Sequence, residues 1–416
     1  MSPPRLIAFH LPQYHPIPEN DAWWGKGFTE WTNVAKQKPR FPGHYQPHVP
    51  ADLGYYDLRA ETVREQQAKL AAAAGIFGFC YYHYWFDGKL LLQKPLEDLQ
   101  ALGTPDYPFC LCWANEPWTR AWDGSQKEIL MPQRYSPAGE RKHLQYLAPF
   151  FKDPRYIRID GKPLWLIYRA HHMPDPRALT TVWREEARRL GIGELYLCRV
   201  ESFPNERDEP TALGFDAAVE FQPNWELVIP TRPRIDRERD VVFAYEELVH
   251  GALAQPKPAY KRFGCVTPGF DNSPRRKKGA HLFTDSTPAL YQLWLSLTLL
   301  QAQKNKPSEQ LVFINAWNEW GEGNHLEPDK QFGQAYLEAT RMALRDFSKK
   351  ELVLIFNLLA ELHARRRQLN ASELRTSQQR TLLEQKKREL DLLRRWSVEQ
   401  DHQYRSALKS LLQLHA

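Results

Sequence analysis

Residues 312–328 read VFINAWNEWGEGNHLEP, a short apolar run that passes at once into Trp, Asn, Glu and Gly. The first letters, VFIN, are typical of a buried β-strand because they are aliphatic, aromatic and β-branched. Two glutamates, Glu319 and Glu322, follow within eight residues of the strand. In parallel α/β proteins the loops after the carboxyl ends of the strands carry the functional site, so this stretch predicts a strand with a site directly beyond it.

Seven earlier runs have the same character, apolar at the start and polar or aromatic at the end. They begin at Leu6, Ile76, Phe109, Leu164, Leu195, Ala217 and Phe263. Stretches with helical spacing and a terminal glycine lie between them, such as ETVREQQAKLAAAAG at 61–75. The alternation predicts an α/β fold, a (β/α)₈ or TIM barrel. An open doubly wound sheet is the competing architecture, but no strand is followed by a G-x-G-x-x-G or P-loop signature.

The chain has 416 residues, of which 42% are hydrophobic, enough for one large domain with an appendage. It has no apolar run of the roughly 20 residues that a bilayer crossing needs, so we expect no transmembrane segment. The beginning, MSPPRLIAFHLPQYH, lacks the apolar core of a secretory signal, which favours a cytoplasmic protein. The five cysteines lie inside strand-like runs, and we expect reduced, buried thiols rather than disulfides or a zinc site.

The net charge of +6 belongs to the C-terminal part of the chain. Residues 349–416 contain 14 Lys or Arg and 8 Asp or Glu, a surplus equal to the whole net charge. This segment also lacks Pro and Gly and shows a weak seven-residue apolar spacing. We therefore predict a catalytic domain over 1–348 and a basic helical extension over 349–416, with no nucleic-acid partner. The extension could dock on its own domain, form a coiled coil in a homo-oligomer or touch an anionic membrane surface.

Glu319 and Glu322 are the predicted catalytic residues. A separation of three positions brings two side chains to within about 5–6 Å on a helical turn, and a glycine-rich turn achieves similar proximity. Two close carboxyl groups split their proton affinities, so one holds a proton while the other is charged, as cleavage of glycosidic bonds requires. A capping or salt-bridging role is the alternative for either glutamate, and the tryptophan-rich strand-end setting argues against it.

Aromatic and polar residues at the other strand ends predict a saccharide cleft, because sugar rings pack on indole and phenol faces and their hydroxyls bind amide and carboxylate groups. The predicted substrate-binding residues are Tyr14, Tyr82, His83, Trp113, Asn115, Glu116, Tyr168, Glu220, Asp271, Trp317, Asn318 and Trp320. Glu116 and Glu220 could instead belong to a buried network that orients Arg120 or its neighbours. No tight His/Asp cluster is recognisable, so we expect no metal and no cofactor.

Several of these segments resemble known families. NEWGEGNHLEP resembles the N-E-W-x-E-G-x-x-x-E-P signature of glycoside hydrolase family 99, the endo-α-mannosidase and endo-mannanase family, and TPGFDNSPRR resembles its G-P-G-Y-D-D-T-R segment. FHLPQYHPIPEND, WWGKGFTEWTNV and WANEPWTRAWDG are more similar to the WbsX-type glycosyltransferases or family-99-like proteins of O-antigen and capsule gene clusters. The resemblance covers about the first 345 residues.

The resemblance implies a (β/α)₈ barrel that acts on glycosidic bonds with retention of anomeric configuration. It implies that Glu319 deprotonates the 2-hydroxyl of the sugar and that Glu322 is the general acid/base. The residues alone predict direct nucleophilic attack by one of the pair, and both mechanisms need the same two glutamates. Gly321 departs from the family, because the hydrolases commonly carry His there.

The sequence therefore predicts a retaining enzyme, a family-99-like glycoside hydrolase that cleaves internal α-linked bonds of a bacterial surface polysaccharide. A glycosyltransferase or transglycosidase of O-antigen or capsule biosynthesis is the alternative, with a sugar acceptor in place of water. A catalytically silent binding module is a third candidate, disfavoured because both glutamates are present.

Overall fold

The computed structural model of the protein describes residues 3–120, 125–228, 230 and 240–345, with the single positions 357, 361 and 386. Its central sheet contains all eight strands predicted from the sequence. The strands are β1 Arg5–His10, β2 Gly78–Phe86, β3 Phe109–Trp113, β4 Lys162–Ile167, β5 Tyr196–Glu201, β6 Ala217–Glu220, β7 Arg262–Val266 and β8 Leu311–Ile314.

The sheet is a closed parallel barrel. Each strand pairs in parallel with the next, from β1 to β8. The ring closes at β1, where Ile7 lies opposite Gly78 of β2 on one side and Phe313 of β8 on the other. The (β/α)₈ prediction is confirmed, and the open doubly wound sheet is excluded because such a sheet has two unpaired edges.

Helices cover the outside of the barrel and part of its C-terminal mouth. The outer helices are α3 Glu61–Ala73, α4 Lys94–Leu102, α5 Pro137–Lys152, α6 Pro176–Arg189, α7 Tyr245–Ala254, α8 Pro288–Ala302 and α9 Ala335–Ala343. Two short helices of the first loop, α1 Pro18–Trp24 and α2 Glu30–Lys36, lie at the mouth. Ser136, Asp175 and Thr287 cap α5, α6 and α8 by accepting a backbone N–H three residues on, and each is followed by proline. A polar cap followed by proline satisfies a free N–H and presets the helical φ, which fixes where these helices begin.

The connection from β5 to β6 departs from the strict alternation of strand and helix. Residues 202–216 contain two 3₁₀ turns, Pro204–Glu206 and Pro210–Leu213, and no α-helix. Prolines open both turns and Gly214, with a φ of 86°, ends the second, so the segment cannot continue as one helix.

Large aromatic side chains fill the layer between barrel and helices. Trp165 of β4 lies 4.8 Å from Trp183 of α6 and 6.3 Å from Trp113 of β3, measured between ring centroids, and all three are fully buried. Indole rings of this size bury much apolar area, so the layer stabilises the packing of α6 on the barrel.

The five cysteines are buried free thiols on the barrel strands, as predicted. None of the described helices combines the length and the apolar character that a bilayer-spanning segment needs. The predicted helical extension over 349–416 lies, apart from three single positions, outside the described residues. Its oligomeric or membrane contacts, the boundary at 348 and the cytoplasmic location remain predictions.

Candidate active site

The two predicted catalytic glutamates lie on one tight turn just beyond β8. Glu319 ends a two-residue strand, Asn318–Glu319, that pairs antiparallel with Asn324–His325. The intervening Trp320–Glu322 forms a 3₁₀ turn, and Gly323 closes it with a left-handed φ of 55°, a conformation that favours glycine. Both carboxyl groups are therefore held at the C-terminal mouth of the barrel.

The turn is tied to the end of β1 by hydrogen bonds. The Asn318 side chain accepts from the backbone N–H of Leu11 at 2.7 Å and donates to the Leu11 carbonyl at 3.0 Å. Asn318 also donates to the Tyr56 hydroxyl at 3.1 Å, and the Tyr14 hydroxyl donates to the Asn318 carbonyl. These buried bonds fix the strand that presents Glu319.

Glu327 supports the turn from the other side. Its carboxylate accepts hydrogen bonds from Trp320 Nε1 at 2.6 Å, from the Tyr56 hydroxyl at 2.8 Å and from Gln67 Nε2 at 2.7 Å. Burial raises the pKa of Glu327 to about 7, and the three hydrogen bonds oppose that rise. Glu327 is the last glutamate of the signature recognised in the sequence, and its role here is to hold the turn.

Arg275 is the residue around which the carboxylates gather. Its Nη2 donates to Glu319 Oε2 at 2.6 Å, and its Nη1 lies 2.8 Å from Glu322 Oε1. Its Nε donates to Glu30 Oε1 at 2.7 Å. The planar guanidinium presents its donors in a fixed fork, so one arginine sets the relative positions of three carboxyl groups.

Glu30 and Gly321 fit together at this point. Glu30 is the first residue of α2 and is fully buried. A Cβ placed on Gly321 would lie 1.6 Å from Glu30 Oε1 and 2.7 Å from Arg275 Nε. Such distances leave no room for a side chain, so the Glu30–Arg275 ion pair fills the space that a larger residue at 321 would need.

The ionisation of the pair follows from burial and from Arg275. Burial raises the pKa of Glu319 to about 8; the Arg275 charge opposes this rise, and the Glu322 and Glu30 charges add to it. Burial also raises the pKa of Glu322, again opposed by Arg275. Burial acts to lower the pKa of Arg275, but the three carboxylates hold it well above its usual value. At neutral pH the pair retains a proton beside a charged guanidinium.

The pair opens into a cleft of about 290 Å³, close to the lower end of small-molecule sites. Its charged lining residues are Glu116, Arg275, Glu319 and Glu322. Its aromatic lining residues are Trp24, Tyr82, Tyr84, Trp118, Tyr168 and Phe221. The cleft thus combines acidic groups with aromatic side chains in its lining.

Three of the predicted substrate-binding residues line this cleft with the two glutamates. Tyr82 and Tyr168 are in T-shaped contact, with ring centroids 6.3 Å apart. Glu116 has 41% of its side chain exposed and lies 2.7 Å from Arg169 Nη1. Arg169 also donates to the buried Glu206 at 2.8 Å, so a second arginine positions a carboxylate at the cleft.

Four predicted residues lie around or behind the turn and do not line the cleft. Tyr14 and Asn318 are fully buried in the hydrogen bonds to β1 described above. Trp320 is buried, with its ring stacked 3.7 Å from that of His325. Trp317 is fully buried 5.2 Å from Phe79.

His83 and Trp113 face the helix layer instead of the cleft. His83 Nε2 is 2.8 Å from His143 Nε2 on α5, and both rings are buried. Trp113 packs on His143 at 4.7 Å and on Trp183 at 6.1 Å. Barrel strands are buried on both faces, so a polar or aromatic residue at a strand end can lie in either direction.

The remaining three predicted residues also lie outside the lining of the cleft. Asn115 is buried and bridges two loops, accepting from the Arg169 N–H at 2.7 Å and donating to the Tyr135 hydroxyl at 2.9 Å. Glu220 accepts from Gln222 at 3.0 Å, and burial raises its pKa. Asp271 accepts from Gln46 at 2.6 Å and pairs with His44 at 2.7 Å. The buried-network alternative considered for Glu220 fits its position.

Sequence reasoning missed Arg275, Glu30 and the ring of Trp24. Arg275 lies within TPGFDNSPRR, the segment that carries part of the family resemblance. The sequence therefore pointed to the segment but not to the binding of the glutamates by its arginine. Glu30 lies 245 residues from Arg275, and only the folded first loop brings them together. Tyr84 was also missed, because the continuous apolar run of β2 does not show which side chains point into the barrel mouth.

One group of side chains among the described residues has the composition and proximity to hold a metal ion: His48, His325 and Asp329, whose ligand atoms lie within 4.8 Å of one another. It lies behind the turn and contributes nothing to the lining of the cleft. The sequence did not reveal it, because His48 and His325 are 277 residues apart.

A closed (β/α)₈ barrel with paired carboxyl groups and aromatic rings at its C-terminal mouth has the architecture of the glycoside-hydrolase class of barrels. A family model described as "Glycosyltransferase WbsX" matches residues 6–340, and the chain belongs to that family. The family resemblance recognised in the sequence is confirmed.

Two relatives from Xanthomonas campestris pv. campestris, strains B100 and ATCC 33913, are each named "Uncharacterized protein WxcX". They are 46% identical to this chain over 351 and 348 residues, which is 82% of the chain. The chain spans half of the length of these relatives.

Solved structures share the fold at low identity. A "Glycoside hydrolase-like protein" gives a TM-score of 0.56 at 14% identity, over 83% of this chain and 95% of that one. The GH99 endo-alpha-mannosidase from Bacteroides thetaiotaomicron gives a TM-score of 0.51 at 14% identity, over 87% of this chain and all of the mannosidase chain. At this level of identity the likeness supports the barrel fold.

Proposed function

We propose that the protein is a retaining carbohydrate-active enzyme that cleaves internal α-glycosidic bonds of a bacterial surface polysaccharide. The observation that carries this proposal is the binding of Glu319 and Glu322 to neighbouring nitrogens of one guanidinium. Because both carboxyl groups also line one cleft, they can act on the same bound sugar.

The ionisation of the pair suits the two roles. A carboxylate with a raised pKa is a stronger base, so Glu319 is suited to take the proton of the 2-hydroxyl. The proton that Glu319 holds at neutral pH must first leave it, and we propose that it moves to Glu322. That transfer prepares Glu322 as the general acid for the leaving oxygen. Direct attack by Glu319 on the anomeric carbon would use the same cleft and the same acid.

The rest of the cleft provides contacts for the sugar. We propose that Tyr82, Tyr168 and Trp118 pack against ring faces, because these aromatic side chains line the cleft beside the pair. We propose that Glu116, which is held by Arg169, accepts a hydrogen bond from a sugar hydroxyl. No step of this scheme requires a metal ion or a cofactor.

A glycosyltransferase or transglycosidase is the second candidate, favoured by the description of the family to which the chain belongs. The same acid and base would then transfer the sugar to a hydroxyl of an acceptor instead of to water. The candidates share the catalytic residues. A transglycosidase differs from the hydrolase in its acceptor, and a glycosyltransferase differs also in taking its sugar from an activated donor such as a nucleotide sugar.

The test is product analysis by mass spectrometry with two kinds of substrate. The protein is incubated with surface polysaccharide of the producing organism and, separately, with nucleotide sugars and an acceptor. We expect shortened oligosaccharides from the first reaction, absent with the Glu322→Gln variant. Nucleotide release coupled to chain extension in the second reaction would overturn hydrolysis in favour of transfer.

A further inference from the structure

A group of three side chains lies behind the catalytic turn, outside the cleft. His48 Nδ1 is 2.8 Å from His325 Nε2, and His325 Nε2 is 3.9 Å from Asp329 Oδ2. His325 and Asp329 are buried, with 7% and 4% of their surface exposed, and His48 is partly buried. His48 comes from the long loop after β1, and the other two follow the catalytic turn, so the cluster joins two separate loops.

The ligand atoms are held in place by bonds to their neighbours. His325 Nδ1 donates to the Glu327 carbonyl at 2.9 Å, which leaves the Nε2 lone pair directed at the cluster. Asp329 Oδ1 accepts from the backbone N–H groups of Gln331 at 3.0 Å and Phe332 at 2.6 Å, and Oδ2 is the oxygen that lies 3.9 Å from His325 Nε2. Such outer hydrogen bonds fix the tautomer and orientation of metal ligands in proteins.

The donor spacing suits a small divalent cation. A tetrahedral zinc ion with nitrogen and oxygen ligands at about 2.0–2.1 Å separates neighbouring donors by roughly 3.3 Å. The two observed separations, 2.8 and 3.9 Å, lie on either side of that value. Shifts of about half an ångström would therefore bring each of these two donor pairs to zinc spacing, and all three ligand atoms lie within 4.8 Å of one another. Two imidazoles with one carboxylate form a donor set that zinc accepts.

We propose that His48, His325 and Asp329 form a zinc site, with water as the fourth ligand, that fastens the first loop to the catalytic turn. His325 lies opposite Asn318 in the two-residue strand pair and stacks on Trp320 at 3.7 Å, so an ion here would stiffen the segment that carries Glu319. The site does not line the cleft, and its role is to hold structure, whatever reaction the cleft supports. The competing account is a direct hydrogen bond between the two histidines.

The first test is metal content. The full-length protein is loaded with zinc, passed through gel filtration and analysed by elemental mass spectrometry. We expect about one zinc per chain in the wild type. In His48→Ala and Asp329→Asn we expect the affinity for zinc to fall by at least about tenfold, because each substitution removes a ligand. His171→Ala is the matched control, because His171 pairs with Asp208 at 2.8 Å and the described residues supply no third ligand beside this pair. Equal zinc in control and ligand variants, or none in the wild type, would overturn the proposal.

The second test keeps the proposal falsifiable if a ligand variant fails to fold. The wild-type protein is stripped with a chelator and reloaded with cobalt(II), whose visible absorption reports coordination by imidazole and carboxylate. We expect a saturable spectrum that zinc displaces, and an unfolding midpoint that falls on chelation and recovers on reloading. An unfolding midpoint unchanged by chelation, with no cobalt spectrum, would establish the direct hydrogen bond instead.

Discussion

Two arginines hold carboxylates at the same cleft, and they do so differently. Arg275 is bound to three carboxyl groups in a nearly closed environment. Arg169 is bound to two carboxyl groups. That of Glu206 is buried, and that of Glu116 belongs to a side chain that is 41% exposed. Glu206 also accepts hydrogen bonds from the backbone N–H groups of Ser202 and Phe203. Its negative charge is therefore stabilised by Arg169 and these two N–H groups, none of which needs a group in the cleft.

The difference lies in the ratio of carboxyl groups to positive charge. One guanidinium cannot neutralise three carboxylates, of which Glu30 and Glu319 are buried and Glu322 is partly buried, so a proton remains in the Arg275 cluster at neutral pH. Around Arg169 the charges are closer to balance and water reaches Glu116. The first cluster is thereby suited to proton transfer and the second to holding a substrate hydroxyl.

The largest expected effect separates the two clusters by activity. Glu319→Gln and Glu322→Gln should each lower turnover of the cleaved polysaccharide by about 10²–10⁴-fold, because each removes an acid/base group. Glu116→Gln, the matched control from the other cluster, should lower it by about tenfold or less, the value of a hydrogen bond. Initial rates of product formation measure both. Equal losses in all three variants would remove the distinction between the clusters.

The next effect concerns stability. Arg275→Met should lower the free energy of unfolding by about 3–5 kcal/mol, because it leaves buried carboxylates without their counter-charge. Arg169→Met should cost less, since Glu206 keeps its backbone hydrogen bonds. Urea unfolding at neutral pH measures both variants. A loss for Arg169→Met as large as that for Arg275→Met would contradict the charge-ratio account.

A smaller effect tests the close fit of Gly321. Gly321→Ala should cost about 1–3 kcal/mol, because its Cβ would overlap the Glu30 carboxylate. The control Gly269→Ala should cost less than Gly321→Ala, since its Cβ would meet Ser286 Oγ at 3.3 Å, a contact that a small shift of the serine side chain relieves. In a double-mutant cycle, Glu30→Ala with Gly321→Ala should lose less stability than the sum of the single variants. Additive losses would show that the two positions do not share this space.

A further effect is in the pH dependence of stability. The folded pKa of Glu319 is about 8, above its ordinary value of 4.5, so the folded state binds this proton more tightly than the unfolded state. Stability from this group is complete below pH 4.5 and is lost as the pH rises through 8. Glu319→Gln should therefore flatten the decline in unfolding free energy between those values, whereas Glu116→Gln should flatten it less. An unchanged slope in Glu319→Gln would show that the proton resides elsewhere.

The strands and the catalytic turn could be predicted because their signals are local. Each strand is a short apolar run that ends in polar residues. Glu319 and Glu322 lie within eight residues of the end of the strand before them. The direction of a side chain at a strand end could not be predicted in the same way. All five residues of β3 are buried, so the alternation that distinguishes inside from outside is missing, and Trp113 was placed in the cleft when it packs on α6.

The partners of the glutamates could not be predicted because they are distant in the chain. Arg275 stands in the basic run SPRRKK, which in isolation reads as a solvated loop. Its burial depends on Glu30 of the first loop, and no spacing in the sequence links the two. The same holds for His48 and His325, which meet only after the barrel closes.

The most direct test of the account is a crystal structure of the Glu322→Gln variant with an uncleaved oligosaccharide from the polysaccharide that the wild type degrades. We expect the glycosidic oxygen within hydrogen-bond distance of the side chain at 322 and the 2-hydroxyl of the same sugar within hydrogen-bond distance of Glu319. A sugar bound with its glycosidic bond out of reach of both side chains would contradict the proposal that this pair carries out the reaction.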